Sequence, residues 1–122
     1  MHWAIYLLPL AALGAFLLYK RAALMPTRDA VELLKRGALL IDVRSHAEYS
    51  EEHLPRALNM PVDRIESLLP ERVTDKRVPL LLHCQSGMRS GLAVKKLHRL
   101  GYSRAFNLGS YARAEELVKA AL

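Results

Sequence analysis

The sequence predicts an α/β fold: a mainly parallel sheet flanked by helices on both faces and preceded by one transmembrane helix. Three observations predict it. Short apolar runs, Ala38–Val43 and Val78–His83 above all, alternate with segments that have helical periodicity. Both runs are almost continuously apolar, as in parallel strands that are buried on both faces. The first 19 residues contain no Asp, Glu, Lys or Arg.

Length and composition exclude several classes of protein. The chain has 122 residues, of which 52% are apolar, which favours one globular domain over a disordered chain. No internal repeat is present, so a solenoid is excluded. Cys84 is the single cysteine, which excludes an internal disulfide and a multi-cysteine metal site. His46 and His53 lack the spacing of metal ligands, so we expect no metal.

The N-terminal segment predicts a membrane anchor. Trp3–Tyr19 is an apolar run of 17 residues; at ~1.5 Å per residue it reaches ~26 Å, at the short end for a hydrocarbon core of ~30 Å. We therefore expect residues 1–25 to form an anchor and linker, residues 26–122 to form the folded domain, and the lipid bilayer to be a partner. The bases after the run, at positions 20, 21 and 28, predict a single-pass protein with its domain on the cytoplasmic side. A cleaved signal peptide and a buried helix are the alternatives.

The first half of the domain predicts two helices and two extended segments. A helix begins with Thr27 as N-cap and ends at Gly37. The strand Ala38–Val43 follows, then a short helix around Ala47–Glu51. A brief extended segment lies near Ala57–Met60.

The second half repeats the alternation. Pro61 opens a helix, Val78–His83 is the second strong strand, and Ser90–Leu100 is a helix with an apolar inner face. A short strand near Ala105–Leu108 leads to a last helix capped by Ser110. Strand order does not follow from periodicity.

The net charge of +6 comes from one block of sequence. Residues 76–114 contain eight bases and no acid, and they include Cys84. Such a field favours an anionic substrate. The bases lack interleaved aromatic residues or a reading motif, so we expect no nucleic-acid partner.

Cys84 is the residue most suited to chemistry. It ends the second strong strand, and a short loop with Gly87 leads from it into a helix. Inward-facing loop amides and the positive end of that helix stabilise an anion, which lowers the pKa of a thiol. The alternative is that Cys84 is only a small buried apolar side chain.

Three segments of the chain resemble one known family. Ile41–Pro61 contains the first set of matching positions, Cys84–Ser90 (CQSGMRS) the second and Asn107–Tyr111 (NLGSY) the third. The matching positions of the first segment are Asp42, Val43, Arg44, Glu48, Tyr49, His53, Leu54, Ala57, Asn59 and Pro61. In this order and spacing, residues 27–113 resemble a single rhodanese domain. The departures are Glu52, Arg56 and Ser110, where the family commonly has glycine, and Ala114, where it commonly has tryptophan.

The resemblance implies a rhodanese-like fold and sulfurtransferase activity. The Cys84 thiolate would attack thiosulfate or another sulfane-sulfur donor, form a persulfide and pass the sulfur to cyanide or a thiol. No metal or organic cofactor is implied. The substrate-binding positions would be those of the loop: Gln85, Ser86, Gly87, Met88 and Arg89. Arg89 would orient the anionic donor.

Four further positions are expected to support the site structurally: Asp42, Arg44, Glu48 and Ser90. We expect Arg44 to pair with one or both of the carboxylates of Asp42 and Glu48. His83 precedes Cys84 on a strand, so its side chain is expected on the opposite face.

Two other functions are alternatives to sulfur transfer, and loop length disfavours the first. Cysteine-dependent phosphatases and arsenate reductases use Cys-x5-Arg, whereas Arg89 is five positions after Cys84 and makes the pattern Cys-x4-Arg. The other alternative is a membrane-tethered persulfide carrier without turnover, or a docking module, either of which implies a membrane protein partner.

Overall fold

A computed structural model describes residues 2–122, the side chains of residues 20–22 excepted. Helices and strands alternate along the domain, as the sequence predicts. The helices are α1 (Trp3–Ala22), α2 (Thr27–Lys35), α3 (His46–Glu51), α4 (Ile65–Arg72), α5 (Met88–Arg99) and α6 (Tyr111–Ala121). The strands are β1 (Leu39–Asp42), β2 (Leu58–Asn59), β3 (Leu80–His83) and β4 (Ala105–Gly109).

The four strands form one parallel sheet in the order β2-β1-β3-β4. In its centre, Leu39 pairs with Leu80 and Asp42 pairs with His83. The pairing of β3 with β4 shifts after Leu82, because Leu82 faces Asn107 while His83 faces Gly109. The strand β4 therefore carries one extra residue at the carboxyl edge of the sheet, beside the loop that follows β3.

Helices cover both faces of the sheet, because successive residues of each strand point to opposite sides. One core contains Ile41 and Leu82 with the inner faces of α4 and α5. The other contains Leu40 and Leu81 with the inner faces of α2 and α6. The predicted parallel sheet with helices on both faces is confirmed.

The starts of three helices differ from the predictions. Pro26, not Thr27, is the N-cap of α2, with no side-chain hydrogen bond. Residues 62–64 after Pro61 form a turn, so α4 begins only at Ile65. α5 begins at Met88, two residues before the predicted start, because Gly87 adopts the left-handed conformation that ends the preceding loop. Ser110 caps α6 as predicted and accepts a hydrogen bond from the amide of Arg113 at 3.1 Å.

The two positions before β2 where the family commonly has glycine differ in backbone conformation. Arg56 has a φ of +68°, the region that favours glycine. Glu52 has a φ of −162°, which is extended backbone. Only the turn at Arg56 therefore retains a glycine-like conformation.

The helix α1 stands apart from the two cores. Its large apolar side chains are exposed, Trp3, Tyr6 and Phe16 among them. Within residues 2–122, no helix combines the length and apolar character needed to cross a membrane. The predicted transmembrane helix is therefore not supported.

A buried ion pair fixes the loop after β1. Asp42 is fully buried, and the guanidinium of Arg44 donates to both of its carboxylate oxygens at 2.7–3.0 Å. The same guanidinium donates to the carbonyl of Glu52 at 2.7 Å and lies 4.7 Å from the ring centroid of Tyr111. Arg44 thus joins β1, the end of α3 and the start of α6.

Removing one member of this pair leaves a buried charge without its partner. We expect Asp42→Asn to lower the free energy of unfolding by about 3 kcal/mol in urea denaturation at neutral pH. The matched control is Glu32→Gln, which removes a carboxylate from the exposed pair with Arg36 and should cost at most about 0.5 kcal/mol. Equal losses in the two variants would contradict a structural role for the buried pair.

Candidate active site

Cys84 lies directly after β3, at the carboxyl edge of the sheet. Its side chain points into the core that α4 and α5 cover, and the residue has no exposed surface. Its amide donates to the carbonyl of Gly109 at 3.2 Å, which ties the start of the loop to β4. The sulfur is therefore enclosed by the core and by the loop that follows it.

The loop turns sharply enough to point an amide back at the sulfur. Gly87 has a φ of +96°, and its N–H donates to Cys84 Sγ at 2.9 Å. A β-carbon on Gly87 would lie 3.1 Å from the Cα of Gly109, so a side chain there would require the backbone of Gly109 to move by a few tenths of an ångström. Ser86 adds an antiparallel bridge to Ser110 on the same side. Both the backbone conformation and the close contact therefore favour glycine at position 87.

These donors decide the charge of the thiol. Burial raises the pKa of Cys84, but hydrogen bonds from the Ser90 hydroxyl and from the amides of Ser90, Gly87 and Ser86 lower it, and the pKa falls below its ordinary value. The start of α5 at Met88 aligns the positive end of a helix with the same point. The site therefore favours a thiolate.

Asn107 is the residue that the sequence reasoning missed. Its Nδ2 donates to the carbonyl of Gly87 at 3.1 Å, and its Oδ1 accepts from the amide of Gly109 at 2.8 Å and from the hydroxyl of Ser90 at 2.7 Å. The Ser90 oxygen also lies 3.5 Å from Cys84 Sγ. The only signal in the sequence was the position of Asn107 in the NLGSY segment, which gives no role.

Two arginines near the loop are each held by a different carboxylate. Arg89 donates to both oxygens of Glu48, at 2.6 and 3.0 Å, and this contact lowers the pKa of Glu48 to about 2. Glu48 also completes a capping box with Ser45 at the start of α3. Of the two expected partners of Arg44, the structure gives it Asp42 alone. The Arg89–Glu48 pair connects the first turn of α5 to α3.

The predicted loop positions divide into buried and exposed ones. Gly87 is buried, whereas Gln85, Ser86 and Met88 are exposed and Arg89 is half-buried. The carbonyl of Gln85 accepts from the amide of Tyr111 at 3.3 Å, which fastens the loop to α6. Over the part of the chain that the structure describes, no group of three or more His, Cys, Asp or Glu is arranged to hold a metal ion.

His83 lies outside the thiol environment. Its Nδ1 is 3.1 Å from the carbonyl of Cys84, and its ring packs edge-on against Tyr111 on the opposite face of the sheet. Burial lowers the pKa of His83, against the attraction of Asp42. His83 is therefore a buried neutral side chain under the loop.

Gly87 gives the first test of this geometry. We expect Gly87→Ala to destabilise the protein by about 2 kcal/mol or more and to raise the pKa of Cys84, because the loop must move away from Gly109. Gly37→Ala is the matched control, since Gly37 has a similar φ of +87° with nothing within 4 Å of an added β-carbon. It should cost only about 1 kcal/mol and leave the thiol unchanged. Urea denaturation and a pH titration of the thiol measure both effects, and a shifted thiol in Gly37→Ala would contradict the assignment.

Curated proteins similar to this chain include two that are named sulfurtransferases. The chain is 33% identical over 69 residues to the thiosulfate sulfurtransferase PspE of Escherichia coli, covering 57% of this chain and 66% of PspE. It is 37% identical over 70 residues to a sulfurtransferase of Allochromatium vinosum, covering 57% and 64%. The chain thus spans slightly less than two thirds of the length of these curated relatives.

Solved structures and a family profile agree with them. A human single-domain sulfurtransferase, TSTD1, is 30% identical with a TM-score of 0.66, covering 77% of this chain and 96% of that one. A rhodanese from Escherichia coli, solved with anions, is 30% identical with a TM-score of 0.60, covering 63% and 91%. The profile of the rhodanese-like domain matches residues 27–114, which is more than half of the chain. This chain therefore belongs to the rhodanese family.

Proposed function

We propose that this protein is a sulfurtransferase that uses Cys84 as its nucleophile. The thiolate attacks the outer sulfur of thiosulfate or a similar donor, a sulfur–sulfur bond forms, and sulfite leaves with the electron pair of the broken bond. A nucleophile such as cyanide or a thiolate then attacks the outer sulfur of the persulfide and restores the Cys84 thiolate. The oxidation state changes only on sulfur, so the step needs no separate oxidant.

One observation carries this proposal: the Gly87 amide lies 2.9 Å from Cys84 Sγ in a loop whose other donors also lower the pKa of the thiol. A persulfide places its charge one atom further out, toward the same loop. The loop is short, because α5 already begins at Met88. A ring of this size suits a single sulfur better than a phosphoryl group, which favours sulfur transfer over the phosphatase alternative.

Arg89 is proposed to orient the sulfur donor, while Glu48 holds the Arg89 side chain in place. Two of its five N–H groups bind the carboxylate, which leaves the others for an anion. The pKa of Arg89 is raised mainly by its hydrogen bond to Glu48 and further by the Cys84 side chain. The Arg89 guanidinium therefore stays charged, and its charge acts on the thiol. Asp42, Arg44, Glu48 and Ser90 are proposed to hold the loop and its surroundings.

A second function is favoured by the burial of Cys84. The residue has no exposed surface, so a persulfide on it would be shielded from solvent. Such shielding suits a carrier that keeps its sulfur until it meets a protein partner. Multiple turnover separates the two functions, since a carrier gives one equivalent of product and then stops.

The membrane location stays a prediction of the sequence. The exposed apolar side chains of α1 would favour a lipid surface or a membrane protein partner over water. The cytoplasmic side follows only from the bases after the apolar run.

Intact mass after thiosulfate treatment tests the nucleophile. We expect the wild-type protein to gain one sulfur atom and to lose it on addition of cyanide, with formation of thiocyanate. Cys84→Ser should gain none and should lose at least about 1000-fold in turnover, since a hydroxyl is a far weaker nucleophile at neutral pH. Wild-type activity should fall as the pH falls through the pKa of Cys84, because the thiolate becomes protonated. Retained activity in folded Cys84→Ser would refute the mechanism.

The role of Arg89 is tested by its effect on donor binding. We expect Arg89→Ala to raise KM for thiosulfate about tenfold, because a charged hydrogen bond to the donor is lost. The matched control is Lys95→Ala, which removes the same charge at an exposed position of α5. Equal rises of KM in Arg89→Ala and Lys95→Ala would indicate only a general effect of charge.

A further inference from the structure

The orientation of the Asn107 amide is fixed by its neighbours. The carbonyl of Gly87 can only accept and lies 3.1 Å from Nδ2, while the amide of Gly109 can only donate and lies 2.8 Å from Oδ1. Exchanging the oxygen and nitrogen of the Asn107 amide would place its oxygen against the Gly87 carbonyl, two acceptors, and its nitrogen against the Gly109 amide, two donors. The atom that meets the Ser90 hydroxyl is therefore the oxygen, which can only accept.

The Ser90 hydroxyl has one proton and two possible acceptors. Asn107 Oδ1 is 2.7 Å from its oxygen, and Cys84 Sγ is 3.5 Å away. While Cys84 is a neutral thiol, Ser90 donates to Asn107 and turns a lone pair toward the S–H. When Cys84 is a thiolate, that lone pair faces a negative sulfur, and the proton is needed on the other side.

We propose that Asn107 is a positioning residue that acts through Ser90, competing with the Cys84 sulfur for the single hydroxyl proton. Ionisation of the thiol turns the hydroxyl from Asn107 to the sulfur. The Asn107 oxygen then keeps only the Gly109 amide as a donor. The competition requires no substrate and is present in the resting protein.

The consequence for sulfur transfer rests on the proposed function. When the sulfur–sulfur bond forms and sulfite leaves, the negative charge moves from Cys84 Sγ to the outer sulfur. The inner sulfur then no longer needs the Ser90 proton, and the hydroxyl returns to Asn107. Asn107 thereby stabilises the persulfide and the neutral thiol relative to the free thiolate.

The charged groups around the thiol do not take part in the competition for the Ser90 proton. On α5, Arg89 is the charged side chain that acts on Cys84, and Glu48 of α3 is bound to it. The carboxylate of Asp42 lies on the other face of the sheet with His83 and Arg44. β4 contributes Asn107, which does not titrate, and the core contacts from α4 are apolar. None of the charged groups named here donates to or accepts from the Ser90 hydroxyl, whose two contacts are Asn107 and Cys84.

A double-mutant cycle on the thiol titration tests the proposal. Because Cys84 is the single cysteine, carbon-13 labelling of cysteine gives one Cβ resonance whose pH dependence reports its ionisation without any reagent. The titration is run on the full chain as wild type, Ser90→Ala, Asn107→Ala and the double variant. We expect Ser90→Ala to move the midpoint to higher pH.

The decisive quantity is the difference between the two effects of Asn107→Ala. Asn107→Ala shifts the midpoint of the thiol titration by one amount in the wild type and by another in the Ser90→Ala background. We expect the shift in the wild type to lie toward lower pH than the shift in Ser90→Ala, by several tenths of a pH unit or more. An effect that is the same in both backgrounds overturns the proposal, because Asn107 would then act only through the loop backbone. Neither outcome depends on sulfur transfer, so failure here and failure of the proposed function are distinguishable.

A second measurement tests the proposal without the Asn107→Ala variant, in case that variant does not fold. In the wild type, ionisation of the thiol turns the Ser90 hydroxyl away from Asn107, and the remaining hydrogen bond from the Gly109 amide to Asn107 becomes stronger. The Gly109 amide proton should therefore shift downfield with the same midpoint as the Cys84 Cβ resonance. In Ser90→Ala this shift should be lost or reduced severalfold. A Gly109 amide that does not follow the thiol in the wild type, or that follows it unchanged in Ser90→Ala, overturns the proposal.

Discussion

The close approach of two glycines holds the site together. Gly87 and Gly109 approach so closely that a β-carbon on Gly87 would lie 3.1 Å from the Cα of Gly109, and this contact places the loop after β3 against the end of β4. The Gly87 amide can then reach Cys84 Sγ, and the Gly87 carbonyl can reach Asn107. The shifted register at the end of β4 places Gly109 opposite His83, beside the start of the Cys84 loop. The thiolate site is therefore made by backbone placement, with side chains in support.

Much of the fold followed from local patterns in the sequence. Ala38–Val43 and Val78–His83 contain β1 and β3 because buried parallel strands are almost wholly apolar. The Cys84 loop was predictable from a strand, a glycine and a helix in succession. The start of α5 at Met88 was not, since it depends on the conformation of Gly87 set by its contact with β4. Asn107 was missed because its three partners lie 2 to 20 residues away and no local pattern connects them.

The charge around the site is more balanced than the sequence indicates. Residues 76–114 contain bases alone, yet Arg89 is bound by Glu48 from the first half of the chain. Arg44 is likewise neutralised by the fully buried Asp42. What stabilises the thiolate is then mostly dipolar: amides of the loop, a hydroxyl and the start of α5. Such donors are fixed by the backbone and act at contact distance, where salt screens them little.

The segment after α1 is fastened to the strand that carries Asn107. The Met25 amide donates to the Asn107 carbonyl at 3.0 Å, and Arg113 donates to the Met25 carbonyl. This clasp covers part of the free edge of β4 and hinders sheet-to-sheet aggregation there. One residue of β4 therefore joins the segment after α1 to the site: the main chain of Asn107 holds Met25, and its side chain holds Gly87 and Ser90.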